Sequence, residues 1–227
     1  AQGIAQVAAA EIEKYLQRKD RVVIALGTGK EIRGAVNELS PMKCPQHKVV
    51  SLVGNLAPDG SANFNAPLTQ LSEKTLATRH PLAVPVIASS VEERDIIRGL
   101  EPIERNIKLA QSADVCFVGI GELNDAPPLL TDGFINWEEL KALQESGAIG
   151  EIIGFAYDQH GRLLRDRTNN RVTSVPLSQP PAMPTIGVAR GADKLPAIRG
   201  ALAGKWINGL ITDETTARTL LDNPGTL

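Results

Sequence analysis

Short segments rich in Val and Ile alternate with amphipathic stretches along nearly the whole chain, and this rhythm limits the fold more than any single residue does. The apolar segments lie at 22–26, 48–53, 82–87, 115–120, 152–157 and 185–189, with one shorter segment at 209–212. Helical periodicity fills the gaps at 30–38, 67–78, 92–99, 102–112, 137–146, 194–203 and 213–221. Ile4, Val7, Ala8, Ile12, Tyr15 and Leu16 mark an opening helix that ends near 18–20. The strand segments do not alternate polar with apolar residues, so both of their faces must be buried. The pattern predicts an α/β fold, Rossmann-like, with a mostly parallel sheet and helices on both faces. At 227 residues and 42% apolar content the chain fills one such domain, and 1–227 reads as a single unit.

In sheets of this kind ligands gather at the carboxyl ends of the strands. Two glycine turns follow strands there. The first is Gly27-Thr28-Gly29-Lys30, and the second runs from Gly187 through Arg190 and Gly191 to Lys194. A strand, a glycine turn and a cation at a helix start together make an anion site, because helix-start amides point outward unpaired. Two such turns point to a phosphorylated small molecule. The formal charge of −2 and the pI near 6.0 argue against binding to DNA or an anionic membrane by this chain alone. Cys44 and Cys116 lack metal-ligand spacing and read as free thiols in a reducing cytoplasm. No apolar run approaches the roughly eighteen residues of a membrane span, and the first ten residues lack a secretory pattern, so the chain reads as cytoplasmic. No cofactor or metal is expected.

The chain resembles the effector-binding domain of SorC/DeoR-type bacterial transcriptional regulators. The resemblance is carried by Gly27-Thr28-Gly29, the 50–55 segment ending in Gly54-Asn55, Asn65-Ala66, and the Val118-Gly119-Ile120-Gly121 turn. It continues through Gly150-Glu151-Ile152-Ile153-Gly154 with Tyr157-Asp158 and Gly161, and closes with Lys194-Leu195-Pro196-Ala197-Ile198-Arg199 and Leu210-Ile211-Thr212-Asp213-Glu214. Each is weak alone; their order along the chain makes the match specific. The resemblance implies a fold similar to ribose-phosphate isomerases, glucosamine-phosphate deaminases and CoA transferases. It also implies allosteric sensing of a sugar phosphate rather than turnover. In the family this domain follows an N-terminal helix-turn-helix, so DNA contact is expected only through a segment outside this chain, and a homodimer or homotetramer is expected.

Carried onto residues, the resemblance gives Gly27, Thr28 and Gly29 to a phosphate, against the alternative of an ordinary strand-to-helix turn. Lys194 resembles the family's lysine that pairs with a phosphate, or is a solvated helix-start lysine. Glu151 accepts hydrogen bonds from sugar hydroxyls or is a loop acid. Gly119, Ile120 and Gly121 let backbone approach the ligand or serve packing. Gly54 and Asn55 close the list of candidate ligand-binding residues; Asn55 either bonds a hydroxyl or occupies a left-handed turn. Arg190 adds a cation beside Gly191, for a second anionic group or for solvent, and Lys30 adds another, more simply read as helix surface.

A sugar-phosphate isomerase or deaminase would need a general base, and Asp114, Asp158, Glu151 and His160 are the candidates. Asp158 and His160 sit in a β-turn sequence, His47 in a loop, and His80 directly before Pro81. No recognised catalytic motif appears, so no enzyme is expected. A second alternative is an oligomerisation module using the first helix with Leu68, Leu71 and Leu76.

Overall fold

The computed structural model describes residues 2–56, 60, 66–165 and 168–222. Its centre is a six-stranded sheet built from β1 (Val23–Leu26), β2 (Lys48–Leu56), β3 (Thr78–Pro85), β4 (Val115–Gly119), β8 (Thr185–Val188) and β9 (Gly209–Ile211). The spatial order is β3-β2-β1-β4-β8-β9, and every neighbouring pair is parallel. All four residues of β1 are buried. Ile24 and Leu26 face one cluster, together with helices α1 (Gln2–Leu16), α2 (Lys30–Glu38) and α3 (Ala66–Thr75); Val23 and Ala25 face the other. That second cluster lies under α5 (Glu101–Gln111), which follows α4 (Val91–Gly99), and under α8 (Leu195–Ala203). Burial on both sides at a period of two is why the strand segments read as continuous apolar runs.

Helix starts follow local capping chemistry. Ser90 accepts from the Glu93 amide at the head of α4, and Asn136 with Glu139 forms a capping box at the head of α7 (Trp137–Glu145). Asp213 does the same for α9 (Glu214–Asp222), accepting from the Thr216 amide at 2.9 Å. His47 is buried between the end of α1 and the start of β1: its Nδ1 accepts from the Val22 amide at 3.1 Å, and its Nε2 donates to the Leu16 carbonyl at 3.0 Å. The structure gives this loop histidine a structural task.

Three sequence expectations are corrected. The segment 152–157 is not a strand of the main sheet. It is split into β6 (Gly150–Ile152) and β7 (Phe155–Tyr157), which pair antiparallel with each other, and β6 pairs with β5 (Gly121–Glu122). The break falls at Ile153 and Gly154, with φ of 48° and 90°, a two-residue hairpin turn that needs positive φ at both positions. An apolar run conceals such a turn because one of its two residues is itself isoleucine. With α6 (Pro128–Thr131) and α7 this small sheet encloses its own cluster around Leu123, Leu129, Leu140 and Leu143. Second, α3 ends at Thr75 rather than at position 78, because Leu76 turns the chain at φ 59° and Thr78 already begins β3, which ends at Pro85. Third, Leu68 and Leu71 are fully buried in their own core, as is the inner face of α1. Those side chains serve packing within the chain; of the residues named for self-association, Leu76 and, on α1, Val7 are exposed.

Candidate functional site

The strand order reverses at β1, whose neighbours β2 and β4 lead the chain away in opposite directions. A crevice at the carboxyl ends of such strands is where open α/β sheets place ligands. The loops that open there are Gly27-Thr28-Gly29 after β1 and Gly119-Ile120-Gly121 after β4. The Gly27 amide donates to the Phe117 carbonyl at 2.8 Å and ties the two together. Gly29 sits at φ 121° and ψ 163°, a backbone region open in practice to glycine alone, and it caps α2 with no side-chain hydrogen bond. The first amides of α2 therefore keep no intrahelical acceptor at the end of this loop. Across from them a Cβ on Gly119 would fall within 3.0 Å of the Thr28 carbonyl oxygen, so only glycine lets the two loops approach this closely.

The charged residues gather beside Gly119–Gly121. Lys194 lies at the end of a short 3₁₀ turn, Ala192–Lys194, that leads into α8. Its Nζ donates to the Ile120 carbonyl at 2.7 Å and pairs with a Glu122 oxygen at 3.2 Å. Glu151, opposite Gly121 in the β5–β6 pairing, accepts from the Gly154 amide at 2.8 Å. Burial pushes the Glu151 carboxyl up; the Gly154 hydrogen bond and the Lys194 charge pull against this, and the Glu122 charge adds to it. The candidates Gly27, Thr28, Gly29, Gly119, Ile120, Gly121, Glu151 and Lys194 are thus brought to one edge of the fold. Gly54 and Asn55 stand at the end of the next strand, β2. Asn55 is in extended pairing and not in a left-handed turn, and its buried Oδ1 makes no hydrogen bond to any described residue. Asn65 lies outside the described residues; Ala66 begins α3.

Other cations and acids are committed elsewhere. Arg190 is not left to solvent alone: its Nε pairs with Glu31 of α2 at 3.1 Å. The pairing joins residues 159 positions apart, beyond the reach of local pattern. Lys30 is an exposed helix-surface lysine. The Gly191 amide donates to Asp213 Oδ2 at 3.0 Å and to Thr216 Oγ1 at 3.2 Å, so the second glycine turn spends that donor on its own fold. The Thr216 hydrogen bonds are the main reason that the Asp213 carboxyl is held down at about 2. Of the general-base candidates, Asp114 accepts from the Val23 amide at 2.7 Å, and Asp158 accepts from the His160 and Arg162 amides inside the turn expected from sequence.

A cavity of about 350 Å³ lies apart from this crevice, beside the amino ends of β4 and β8, lined by residues that include Leu52, Cys116, Val175, Met183, Thr185 and Trp206. It shares no residue with the glycine loops and carries no charged side chain, which suits it poorly to an anionic sugar.

The family model described as "Putative sugar-binding domain" matches residues 1–222. The chain belongs to this family, the sugar-binding domain of SorC/DeoR-type transcriptional regulators. Among curated proteins it is 32% identical over 204 residues to the transcriptional regulator LsrR of Klebsiella pneumoniae, covering 88% of this chain and 61% of the relative. It is 26% identical over 213 residues to the erythritol catabolism regulatory protein EryD of Brucella abortus, covering 94% and 67%. The chain thus spans about three fifths to two thirds of these regulators. Among solved structures, the full-length sorbitol operon regulator SorC of Klebsiella pneumoniae superposes with a TM-score of 0.82 at 25% identity, covering 97% of this chain and 72% of that one. A transcriptional regulator from Streptococcus pneumoniae gives 0.88 at 20% identity, covering 99% and 86%. The relatives are transcriptional regulators and not enzymes, and the expected fold is the observed one. No helix among the described residues is long and apolar enough to cross a membrane.

Sequence reasoning missed two residues at this edge. Glu122 follows directly on the Gly119–Gly121 turn but carries no motif; only the folded position of Lys194 makes it a partner. Ile153 reads as a strand residue, yet its Cγ2 would lie 3.3 Å from a Cβ on Gly27, so the hairpin turn buttresses the first glycine loop. An Ile-Gly pair inside an apolar run was the one available signal.

Proposed function

We propose that this domain senses a phosphorylated sugar in the crevice between the β1 and β4 loops and thereby controls DNA binding by an N-terminal helix-turn-helix of the full-length regulator. The observation that carries this reading is the approach of Gly119 to the Thr28–Gly29 loop at the switch point, with Lys194 and Glu151 beside it. The uncapped start of α2 offers amides to a phosphate, Lys194 adds charge, and Glu151 accepts from hydroxyls. The names of EryD, an erythritol catabolism regulatory protein, of the sorbitol operon regulator SorC and of a related deoxyribonucleoside regulator of Bacillus subtilis suit a polyhydroxylated effector. Regulation follows if the ligand favours one arrangement of a cytoplasmic homodimer or homotetramer over another.

The test is thermal unfolding of this chain against pentose and hexose phosphates, each paired with its unphosphorylated sugar, with product analysis of any stabilising ligand. At a hundredfold excess over Kd, binding stabilises by about 2.7 kcal/mol, which for a domain of this size is a rise of roughly 5–11 °C. A selective rise with an intact phosphosugar is expected. Conversion of the ligand would mean an enzyme, and no rise with any phosphosugar would overturn the proposal.

A further inference from the structure

The ammonium of Lys194 has three N–H donors. One goes to the Ile120 carbonyl at 2.7 Å, and Glu122 stands at 3.2 Å from the same nitrogen. Glu122 and Lys194 are both mostly shielded, with side-chain exposures of 21% and 25%, so solvent screens the pair only in part. Glu151 lies across the β5–β6 ladder from Gly121, one residue from Glu122, and its field also bears on Lys194. A single cation therefore faces two carboxylates, and one of those already occupies it. An arriving phosphate finds an ammonium already hydrogen-bonded to the Ile120 carbonyl and paired with a neighbouring negative charge.

We infer that Glu122 is a selectivity residue of the crevice: an internal anion that holds Lys194 in the empty domain and that an anionic effector must displace. The inference rests on the proposed crevice site and names a residue that neither the sequence motifs nor the family match assigns. Its physical content is competition. Two anions seek one ammonium, so the resident carboxylate weakens phosphate binding and leaves the binding of an uncharged polyol nearly unchanged. Glu122 acts through Lys194 and is a positioning residue.

The test titrates inorganic phosphate, and separately ribose 5-phosphate and ribose, into the wild-type chain, Glu122→Gln, Lys194→Met and the double variant, reading apparent Kd by calorimetry. The amide of glutamine keeps the shape and removes the charge. Glu122→Gln is expected to tighten inorganic phosphate about tenfold, the factor corresponding to loss of one charge-assisted competitor, with ribose affected less than about twofold. In the Lys194→Met background the same change should have almost no effect on phosphate, an outcome that a general loosening of the fold would not give. If Glu122→Gln fails to fold, Glu122→Asp, which withdraws the carboxylate by one methylene, should give a smaller gain of the same sign. Equal or weaker phosphate affinity in the folded variant, an equal gain without Lys194, or no phosphate binding by any of the proteins overturns the inference. Wild-type binding of ribose 5-phosphate with no change in Glu122→Gln sinks the role of Glu122 and leaves the crevice site standing, whereas failure of every phosphosugar in the thermal panel sinks the site itself.

Discussion

Gly54→Ala tests how tightly the crevice edge is built. A Cβ at position 54 would lie 2.6 Å from the carbonyl oxygens of both Val84 and Pro85 and 2.8 Å from the Pro85 carbonyl carbon. Relaxed contacts between carbon and a carbonyl oxygen fall at about 3.3–3.6 Å, so β2 and β3 must part by roughly 0.7–1 Å. The obstructing atoms are backbone and cannot swing away as a side-chain end would. They sit where the β2–β3 register already shifts, between the Gly54–Leu82 and Leu56–Pro85 pairs. Overpacking of this kind costs about 1–3 kcal/mol, and two backbone oxygens place the expectation in the upper half, about 2–3 kcal/mol. For a domain of this length that is a fall in melting temperature of roughly 4–12 °C. Calorimetry of Gly54→Ala beside Gly99→Ala, where an added Cβ meets nothing within 4 Å, isolates the steric cause. If Gly54→Ala melts within about 1 °C of the wild type, the close approach of β3 to Gly54 is wrong and the reasoning fails with it.

Further predictions follow from the charged and capped groups. Asp213→Ala removes the α9 cap and the acceptor for the Gly191 amide, and should cost about 1–2 kcal/mol at pH 7 in urea unfolding. Because the Asp213 carboxyl is held down from 3.8 to about 2, its stabilisation is present above pH 3.8 and is lost as pH falls toward 2; the gap between wild type and variant should close over that range. Glu151 has the opposite sign: its folded value lies above 4.5, so the wild type loses stability as pH rises from 4.5 through that value, and Glu151→Gln should gain relative to wild type between pH 4 and pH 7. Parallel curves for the two proteins would contradict the burial of that carboxyl. Cys116 is buried with its thiol pushed up to about 11, so in the native protein it should resist a thiol reagent that labels it readily in denaturant. Lys194→Ala should weaken phosphosugar binding and, because it strips the shielded Glu122 of its cation and the Ile120 carbonyl of its donor, also lower the melting temperature of the empty chain without unfolding it; equal affinity would remove Lys194 from the site.

Much of the fold was legible because the strands are buried on both faces and therefore carry their signal in composition alone. The loops at Gly27–Gly29 and Gly119–Gly121 were legible for a related reason: close backbone approach and a φ of 121° leave glycine little competition. What escaped was non-local. The β6–β7 hairpin hid in an apolar run because Ile153 accepts a left-handed conformation that its own propensity opposes, held there by packing against the first glycine loop. The partners of Arg190 and Lys194 escaped because both ion pairs join residues brought together only by the sheet order. Arg190 and Lys194, the cations of the second glycine turn, read as ligand groups from sequence; the structure gives both an internal partner first.

The central claim is that the effector enters at the switch point between β1 and β4. Backbone amide chemical-shift mapping with the phosphosugar that most stabilises the chain tests it directly. The account predicts the largest perturbations at the amides of Thr28, Gly29 and Lys30 and at Gly119–Gly121, with smaller ones at Glu151 and Lys194. Perturbations centred instead on Cys116, Met183 and Trp206, around the 350 Å³ cavity, would contradict it.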